Sequence, residues 1–383
     1  MLVDTNIPGG NGLTEVLDGD VIRVRPDLRT TVGPWFWWHI RVRDCAGRRL
    51  RLELPEPNTT TVRGAVISRD QGRTWAWIPD YDAATQAMTI AAGADDELRL
   101  ALAIPYTRRD LDAWLAWHGG HPDLTVGTLC QARSGAAVPL LTIGRQDGAE
   151  VRQAFFACRN HACESLASFA LEGLLDAVLA DDDAGRRLRA RWRILVVPMV
   201  DYDGVQAGDQ GKNRHPHDHN RDYQPPHLYP ETAALRDLVR QRCDGRLHLA
   251  LDLHCPWVRG GLADGHTNQH IYMVGVQDEQ RARRQQEFAA LLEAQRTGPL
   301  PYYASGTVSY GTGWNTGLGF SEGSTCAGCV AQIAPASCTI ATFEIPYADA
   351  EGVMVDAQSA RAFGRDLARA MDTLDAQTAM PQA

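Results

Sequence analysis

The sequence lacks two features that would point to a membrane or a nucleic acid. It has no apolar run near the roughly 18–20 residues that a membrane-spanning helix requires, so we expect no membrane partner. It also has no surplus of positive charge, because 38 Lys and Arg stand against 47 Asp and Glu, a net charge of −9. Nucleic-acid binding without sequence preference needs clustered positive charge, and we expect no nucleic-acid partner.

The sequence also shows no disulfide framework and no export signal. Its nine cysteines are odd in number and irregularly spaced, which is typical of reduced thiols in a long cytoplasmic chain. Met1–Gly12 has no basic start followed by an apolar core. We therefore expect a cytoplasmic location. Cys326 and Cys329 could form half of a zinc clip, with Cys338 as a third thiol, or a redox pair, but no second Cys-x-x-Cys accompanies them.

The first hundred residues have the pattern of β-structure. Apolar and polar residues alternate in Val21–Arg25, Ile40–Arg43 and Leu50–Leu54, with turn residues at Asp44–Gly47. This period of two indicates half-buried antiparallel strands, and Leu98–Leu102 continues it. We expect an N-terminal antiparallel β-sandwich over residues 1–105. The aromatic run at residues 35–38 could bind a sugar ring or pack within this region.

The pattern changes after residue 105, where apolar strands alternate with amphipathic helices. One helix is predicted near Ala360–Leu374, where apolar residues recur every three or four positions. Alternation of strands and helices predicts an α/β domain over residues 106–383, with a mixed central sheet flanked by helices. Ser305–Gly328 is predicted to be a long loop. The strand candidates are Pro139–Ile143, Ala154–Cys158, Ile194–Val200, Leu247–Leu253 and Thr339–Ile345.

Four side chains that could serve a metal site lie at or after predicted strands. His161 and Glu164 follow Ala154–Cys158 and are three residues apart, a spacing that puts both on one side of a helical first turn. His254 ends the strand Leu247–Leu253, and sites in open α/β sheets form at such strand ends. Glu344 interrupts an apolar strand, where a buried carboxylate needs a cation or a proton. Each has a structural alternative: His161 and Glu164 could form a polar helix start, His254 could be a hydrogen-bonded histidine, and Glu344 could pair with an arginine.

The loop after Ile194–Val200 carries cations beside this expected pocket. It contains Lys212 and Arg214, followed by Asp218, Asn220 and Arg221. A guanidinium binds a carboxylate bidentately and keeps its charge, so the loop favours an anionic substrate. A solvated polar loop is the alternative, and the alternating histidines at 215, 217 and 219 could also form a metal tract of their own.

Taken together, these residues resemble the pattern of the M14 zinc metallocarboxypeptidases: His-x-x-Glu, an Asn-Arg pair, a strand-end His and a later catalytic Glu. The N-terminal β-region and the Asp-Gly-Val segment at residues 203–205 resemble the cytosolic carboxypeptidase branch. The resemblance implies one Zn²⁺ per chain, bound by His161, Glu164 and His254, a ligand set known for carboxypeptidase A.

The resemblance also implies roles around the metal. Glu344 would be the general base, and Arg214 would stabilise the oxyanion, with Lys212 as its rival. Asn220 and Arg221 would hold the terminal carboxylate of the substrate, and Asp218 would orient His161. Tyr310, in a glycine-rich stretch that suits a moving loop, is the candidate for the family's substrate-binding tyrosine.

The expected function is therefore hydrolysis of the C-terminal peptide or isopeptide bond of a peptide with a free terminal carboxylate. Two alternatives stay open: a related deacylase of N-acyl amino acids, of the desuccinylase or aspartoacylase type, and a catalytically silent binding module.

Overall fold

The structure of the chain, a computed structural model, describes residues 1–145, 151–243, 245–259, 268–316 and 323–378, with side chains to residue 374 in the last of these ranges. Residues 317–322 of the predicted loop Ser305–Gly328 lie outside the described residues.

Ten strands within residues 1–101 form two five-stranded sheets, with the orders β1-β4-β10-β6-β7 and β2-β3-β5-β9-β8. Alternate apolar residues of the strands, among them Ile22, Val24, Leu50 and Leu52, are fully buried in the core, while the arginines between them lie outside it. The predicted antiparallel β-structure is confirmed, with one difference, since β3 and β5 run parallel. The strands are β1 (Leu2–Asp4), β2 (Leu13–Leu17), β3 (Val21–Arg25), β4 (His39–Arg43), β5 (Arg49–Glu53), β6 (Val66–Ser68), β7 (Ala76–Trp77), β8 (Tyr81–Asp82), β9 (Ala87–Ala91) and β10 (Glu97–Ala101).

The remaining residues build a seven-stranded mixed sheet with the order β11-β12-β14-β13-β15-β17-β16. The four central strands β14, β13, β15 and β17 are parallel, and the strands outside them pair antiparallel. The predicted mixed α/β fold is confirmed. The strands are β11 (Leu124–Gln131), β12 (Ala137–Gly144), β13 (Arg152–Cys158), β14 (Trp192–Val197), β15 (Leu247–His254), β16 (Tyr272–Val274) and β17 (Thr339–Glu344), followed by the hairpin strands β18 (Asp349–Ala350) and β19 (Val353–Met354).

Eight α-helices accompany this sheet in the described part of the chain. The helices α2 and α8 approach each other closely, because a Cβ at Gly173 would overlap the Arg361 backbone and one at Gly364 would overlap the Ala170 carbonyl. No helix in the described ranges combines the length and the apolar character needed to cross a membrane. The helices are α1 (Arg108–His118), α2 (Ser165–Leu179), α3 (Asp183–Arg191), α4 (Tyr202–Ala207), α5 (Pro230–Cys243), α6 (Glu279–Gln295), α7 (Cys326–Ile333) and α8 (Ala357–Thr378), with short 3-10 helices at His219–Arg221 and Ala304–Gly306.

The sheet topology brings three distant stretches of sequence to one edge. The strands β13, β15 and β17 are adjacent and parallel, with Cys158 opposite Leu253 and His254 opposite Glu344. Their carboxyl ends therefore meet at the same edge, which is where open α/β sheets bind ligands.

Candidate metal centre and active site

Three buried side chains converge at this edge. One ligand atom from each of His161, Glu164 and His254 lies within 4.8 Å of the other two. His161 Nδ1 is 2.9 Å from Glu164 Oε1, and His254 Nδ1 is 2.8 Å from Glu164 Oε2. Two imidazole nitrogens and a carboxylate thus face one small volume, as a tetrahedral Zn²⁺ site with one open position requires.

The turn between β13 and α2 places the first two of these residues. We expected them on the first turn of a helix, but α2 begins at Ser165, so both lie in the turn before it. Arg159 opens this turn with φ +61°, and its buried guanidinium donates to the Tyr106 carbonyl at 2.8 Å and to the Ala162 carbonyl. A fixed arginine, rather than helical spacing, holds the turn in shape.

The outer nitrogen of each histidine faces a second carboxylate. His161 Nε2 is 3.2 Å from Asp218 Oδ1, in the contact expected for Asp218. His254 Nε2 is 3.0 Å from Asp252 Oδ2, at the distance of an ion pair but without the angles of a hydrogen bond. Carboxylates in this position fix the ring orientation of metal-binding histidines. The sequence analysis gave Asp252 no role, although it lies two residues before His254 on the same face of β15.

Glu344 ends β17 directly opposite His254 in the strand register. Its carboxyl group is buried, and among the described residues its Oε2 atom has no hydrogen-bond partner. Burial raises the pKa of Glu344 to about 7, against the opposing effect of the nearby Lys212 charge. A buried acceptor with no protein partner is positioned to take a proton from a bound molecule.

The two candidate cations occupy different environments. Lys212 Nζ is 2.6 Å from Glu164 Oε1 and donates to the Cys255 carbonyl at 2.9 Å. Arg214 instead pairs with Asp201 at 2.8 Å and with Asp209 at 3.0 Å. The structure therefore brings Lys212, and not Arg214, into contact with the ligand group.

Lys212 also stands out in the composition. Of the 38 Lys and Arg in the chain, 37 are arginine and Lys212 is the one lysine. Burial lowers the pKa of Lys212, but the Glu164 and Glu344 carboxylates raise it further, so that its pKa lies above the usual value. The ammonium group therefore stays charged beside the ligand group. Counting lysines would have singled out this residue from the sequence.

Of the described residues predicted to bind the substrate, Asn220 and Arg221 lie near the ligand group, whereas Tyr310 makes no hydrogen bond with it. Asp218 caps the 3-10 helix by accepting from the Asn220 N–H at 2.7 Å, which puts Asn220 and Arg221 directly beside the carboxylate that contacts His161. The Asn220 side chain accepts from the Cys326 N–H at 2.9 Å. The structure places Tyr310 in no hydrogen bond with the described ligand residues, and its role stays a prediction.

The rival motifs do not form a second metal group within the described ranges. The ring of His219 stacks on Tyr229 at 3.6 Å, and the His217 side chain contacts the Arg221 carbonyl. All nine cysteines are free. In the run at residues 35–38, Trp37 and Trp38 are buried, while the half-buried Trp35 packs against Trp257.

The comparison with protein families agrees with this geometry. A family model described as zinc carboxypeptidase matches residues 112–256, a stretch that contains His161, Glu164, Lys212 and His254 but ends before Glu344. Cytosolic carboxypeptidase 6 of Caenorhabditis elegans is 25% identical over 202 residues, which cover 47% of this chain and 43% of the relative. Cytosolic carboxypeptidase 2 of Homo sapiens is 27% identical over 189 residues, 46% of this chain and 20% of the relative. The chain thus spans less than half the length of these curated relatives.

Solved structures share the fold over almost the whole chain. The metallo-carboxypeptidase from Burkholderia cenocepacia superposes with a TM-score of 0.80 at 20% identity, covering 99% of this chain and 100% of that chain. The metallo-carboxypeptidase from Pseudomonas aeruginosa gives 0.77 at 20% identity, covering 98% and 100%. The shared fold thus includes the N-terminal β-region. The predicted resemblance is confirmed: the chain resembles the M14 zinc carboxypeptidase family and, within it, the cytosolic carboxypeptidase branch.

Proposed function

We propose that the protein is a zinc-dependent metallocarboxypeptidase that hydrolyses the C-terminal peptide or isopeptide bond of a peptide. One observation carries the proposal: a His₂Glu ligand group, the single lysine and a buried carboxylate whose Oε2 has no hydrogen-bond partner in the described ranges meet at one sheet edge. The ligand group alone would fit many zinc enzymes, whereas the added base and cation fit hydrolysis of a carbonyl compound.

The donor set fits one Zn²⁺ per chain. His161, Glu164 and His254 supply the nitrogen and oxygen ligands of catalytic zinc sites, while Asp218 and Asp252 hold the two imidazoles in place. When bound, the ion lowers the pKa of a coordinated water and polarises the scissile carbonyl.

The chain's own residues then move the proton and balance the charge. Glu344 accepts a proton from the attacking water through its unpartnered oxygen and passes it to the leaving amine. The Lys212 ammonium stabilises the negative charge that develops on the carbonyl oxygen. We assign this role to Lys212 because the Arg214 guanidinium is already engaged by two carboxylates.

The substrate end of the site follows the same reasoning. Asn220 and Arg221 bind the terminal carboxylate of the peptide, since they lie next to Asp218 and supply an amide and a guanidinium. Tyr310 covers the bound substrate. The proposed partners are peptides with a free C-terminus. We also propose a cytosolic location, because the curated relatives are named cytosolic carboxypeptidases.

The test is digestion of a peptide library by zinc-loaded protein, read by mass spectrometry. We expect removal of single C-terminal residues, and amidated C-termini should resist. Glu344→Gln should keep about one zinc per chain and lose activity by orders of magnitude, while His161→Ala and His254→Ala should lose the metal. Glu279→Gln, at an exposed position on α6, is the matched control and should retain full activity.

Two results would contradict the proposal. Hydrolysis of N-acyl amino acids with no cleavage of any peptide would identify a deacylase instead. Metal binding without turnover on either class of compound would identify a binding module.

A further inference from the structure

The N-terminal β-region reaches across to the loop that carries Lys212. The Trp37 backbone N–H donates to Gln210 Oε1 at 2.7 Å, and Gln210 Nε2 donates to the Trp37 carbonyl at 2.8 Å. Further along, the His215 N–H donates to the Thr30 carbonyl at 2.8 Å. These contacts lie on both sides of Lys212 in the sequence, so residues 30–37 support the stretch of loop that contains it.

Within that segment, Trp35 makes direct contact with the lysine. Lys212 Nζ lies over the Trp35 ring, 5.6 Å from its centroid, within the range of a cation–π interaction. Two contacts hold the indole in place. Its Nε1 donates to the Val32 carbonyl at 3.0 Å, and its ring packs 4.8 Å from that of Trp257, three residues after His254.

We infer that Trp35 is a positioning residue for the Lys212 ammonium, and that the N-terminal β-region thereby contributes to the active site. This inference rests on the proposed function, in which Lys212 acts on the reacting oxygen.

The chemistry of the ammonium group explains why a ring face serves here. An ammonium has three N–H donors, and two of them are directed at Glu164 and the Cys255 carbonyl. A third carboxylate or carbonyl would use the last donor. The face of an indole attracts the cation without accepting a hydrogen bond in this way, so one N–H stays available for a substrate oxygen. Because lysine sits on a flexible four-carbon stem, its position needs such a constraint.

The kinetic test is a double-mutant cycle on zinc-loaded protein. Trp35→Leu should lower kcat roughly three- to thirtyfold, with a smaller change in KM. Trp35→Phe, which keeps a ring face, should restore most of the loss. In the Lys212→Met background, Trp35→Leu should have almost no further effect, since a residue that acts through Lys212 has nothing left to position. An equal loss with and without Lys212 would overturn the inference.

A matched control separates this effect from general loss of packing. Trp75 is another half-buried tryptophan of the same region, with its Nε1 donating to the Gly72 carbonyl, and its ring packs against His39. Trp75→Leu should leave kcat/KM within about twofold of the wild type. Zinc content and melting temperature of every variant show whether it is folded and loaded.

A second readout does not depend on activity. Because the chain has one lysine, protein labelled with ¹³C-lysine gives a single εCH₂ signal by NMR. The Trp35 ring current should shift this signal upfield in the wild type and in Trp75→Leu, and Trp35→Leu should abolish the shift. A wild-type signal at the position of free lysine would overturn the inference even in an active peptidase. A shifted signal in a protein without peptidase activity would contradict only the proposed function.

Discussion

Replacing Lys212 by methionine tests the centre of the mechanism. The substitution keeps about the volume of an unbranched side chain that is 12% exposed, and it removes the charge 2.6 Å from Glu164 Oε1. Its effect on metal binding should be small or favourable, because the ammonium and a divalent cation repel each other across the same carboxylate. The variant therefore separates loss of transition-state stabilisation from loss of zinc.

The expected magnitude follows from the role of the cation. Removing one group that stabilises an oxyanion costs about 10²–10³ in kcat, or about 3–4 kcal/mol. Because this interaction forms on a charge present only in the transition state, KM should change far less than kcat. Lys212→Arg should recover part of the loss, since it keeps the charge but replaces a compact ammonium by a larger planar group.

The assay is steady-state hydrolysis of the best library peptide, with zinc content measured on the same samples. Arg214→Lys provides the comparison. Asp201, the partner of Arg214, has a side chain only 1% exposed, and weakening a buried ion pair lowers stability by up to about 3–5 kcal/mol. We expect Arg214→Lys to lower the free energy of unfolding and to keep kcat within about tenfold of the wild type. The reverse outcome, a folded and loaded Arg214→Lys without activity beside an active Lys212→Met, would refute the assignment.

Three further predictions concern metal affinity and stability. Asp218→Asn should weaken zinc binding about 10–100-fold, because the carboxylate that orients His161 is lost, and an unchanged Kd in a chelator competition would contradict this. Burial lowers the pKa of His39 to about 3, so between pH 6.5 and 4 the unfolded chain binds a proton that the folded chain does not. As the pH is lowered through this range, the free energy of unfolding should decrease by about 3 kcal/mol because of this group. Denaturant unfolding of His39→Gln should show a correspondingly flatter pH dependence. Gly364→Ala should cost about 1–3 kcal/mol in urea unfolding, because the new Cβ overlaps the Ala170 carbonyl; equal midpoints would show that α2 and α8 separate easily.

The sequence pattern predicts individual strands better than their partners. The alternation in Val21–Arg25 and Ile40–Arg43 identified β3 and β4, because period two marks which face of a strand is buried. The same pattern does not specify the neighbouring strand, and β4 and β5, separated by the predicted turn at Asp44–Gly47, lie in different sheets. β11 escaped prediction because it is an edge strand whose side chains are mostly exposed, so it has no continuous apolar run.

At the site, residues at strand ends were easier to predict than residues in loops. His254 and Glu344 could be predicted because a polar residue at the end of an apolar strand is costly without a ligand. Periodicity could not choose the cation, since neither Lys212 nor Arg214 lies in an element whose pattern tells which side chain points inward; only the count of lysines distinguishes Lys212. The fold places the two cations differently, because Asp201 and Asp209 engage Arg214 and Glu164 engages Lys212.

Contacts between the two parts of the chain include the loop that carries Lys212. The composition changes near residue 105, and we predicted a domain boundary there. Yet Trp35 and the hydrogen bonds of residues 30–37 support the Lys212 loop across that boundary. Arg63 adds an ion pair to Asp349, shortly after the end of β17. A boundary predicted from composition therefore separates the secondary-structure classes, while contacts from residues before it reach the loop that carries Lys212.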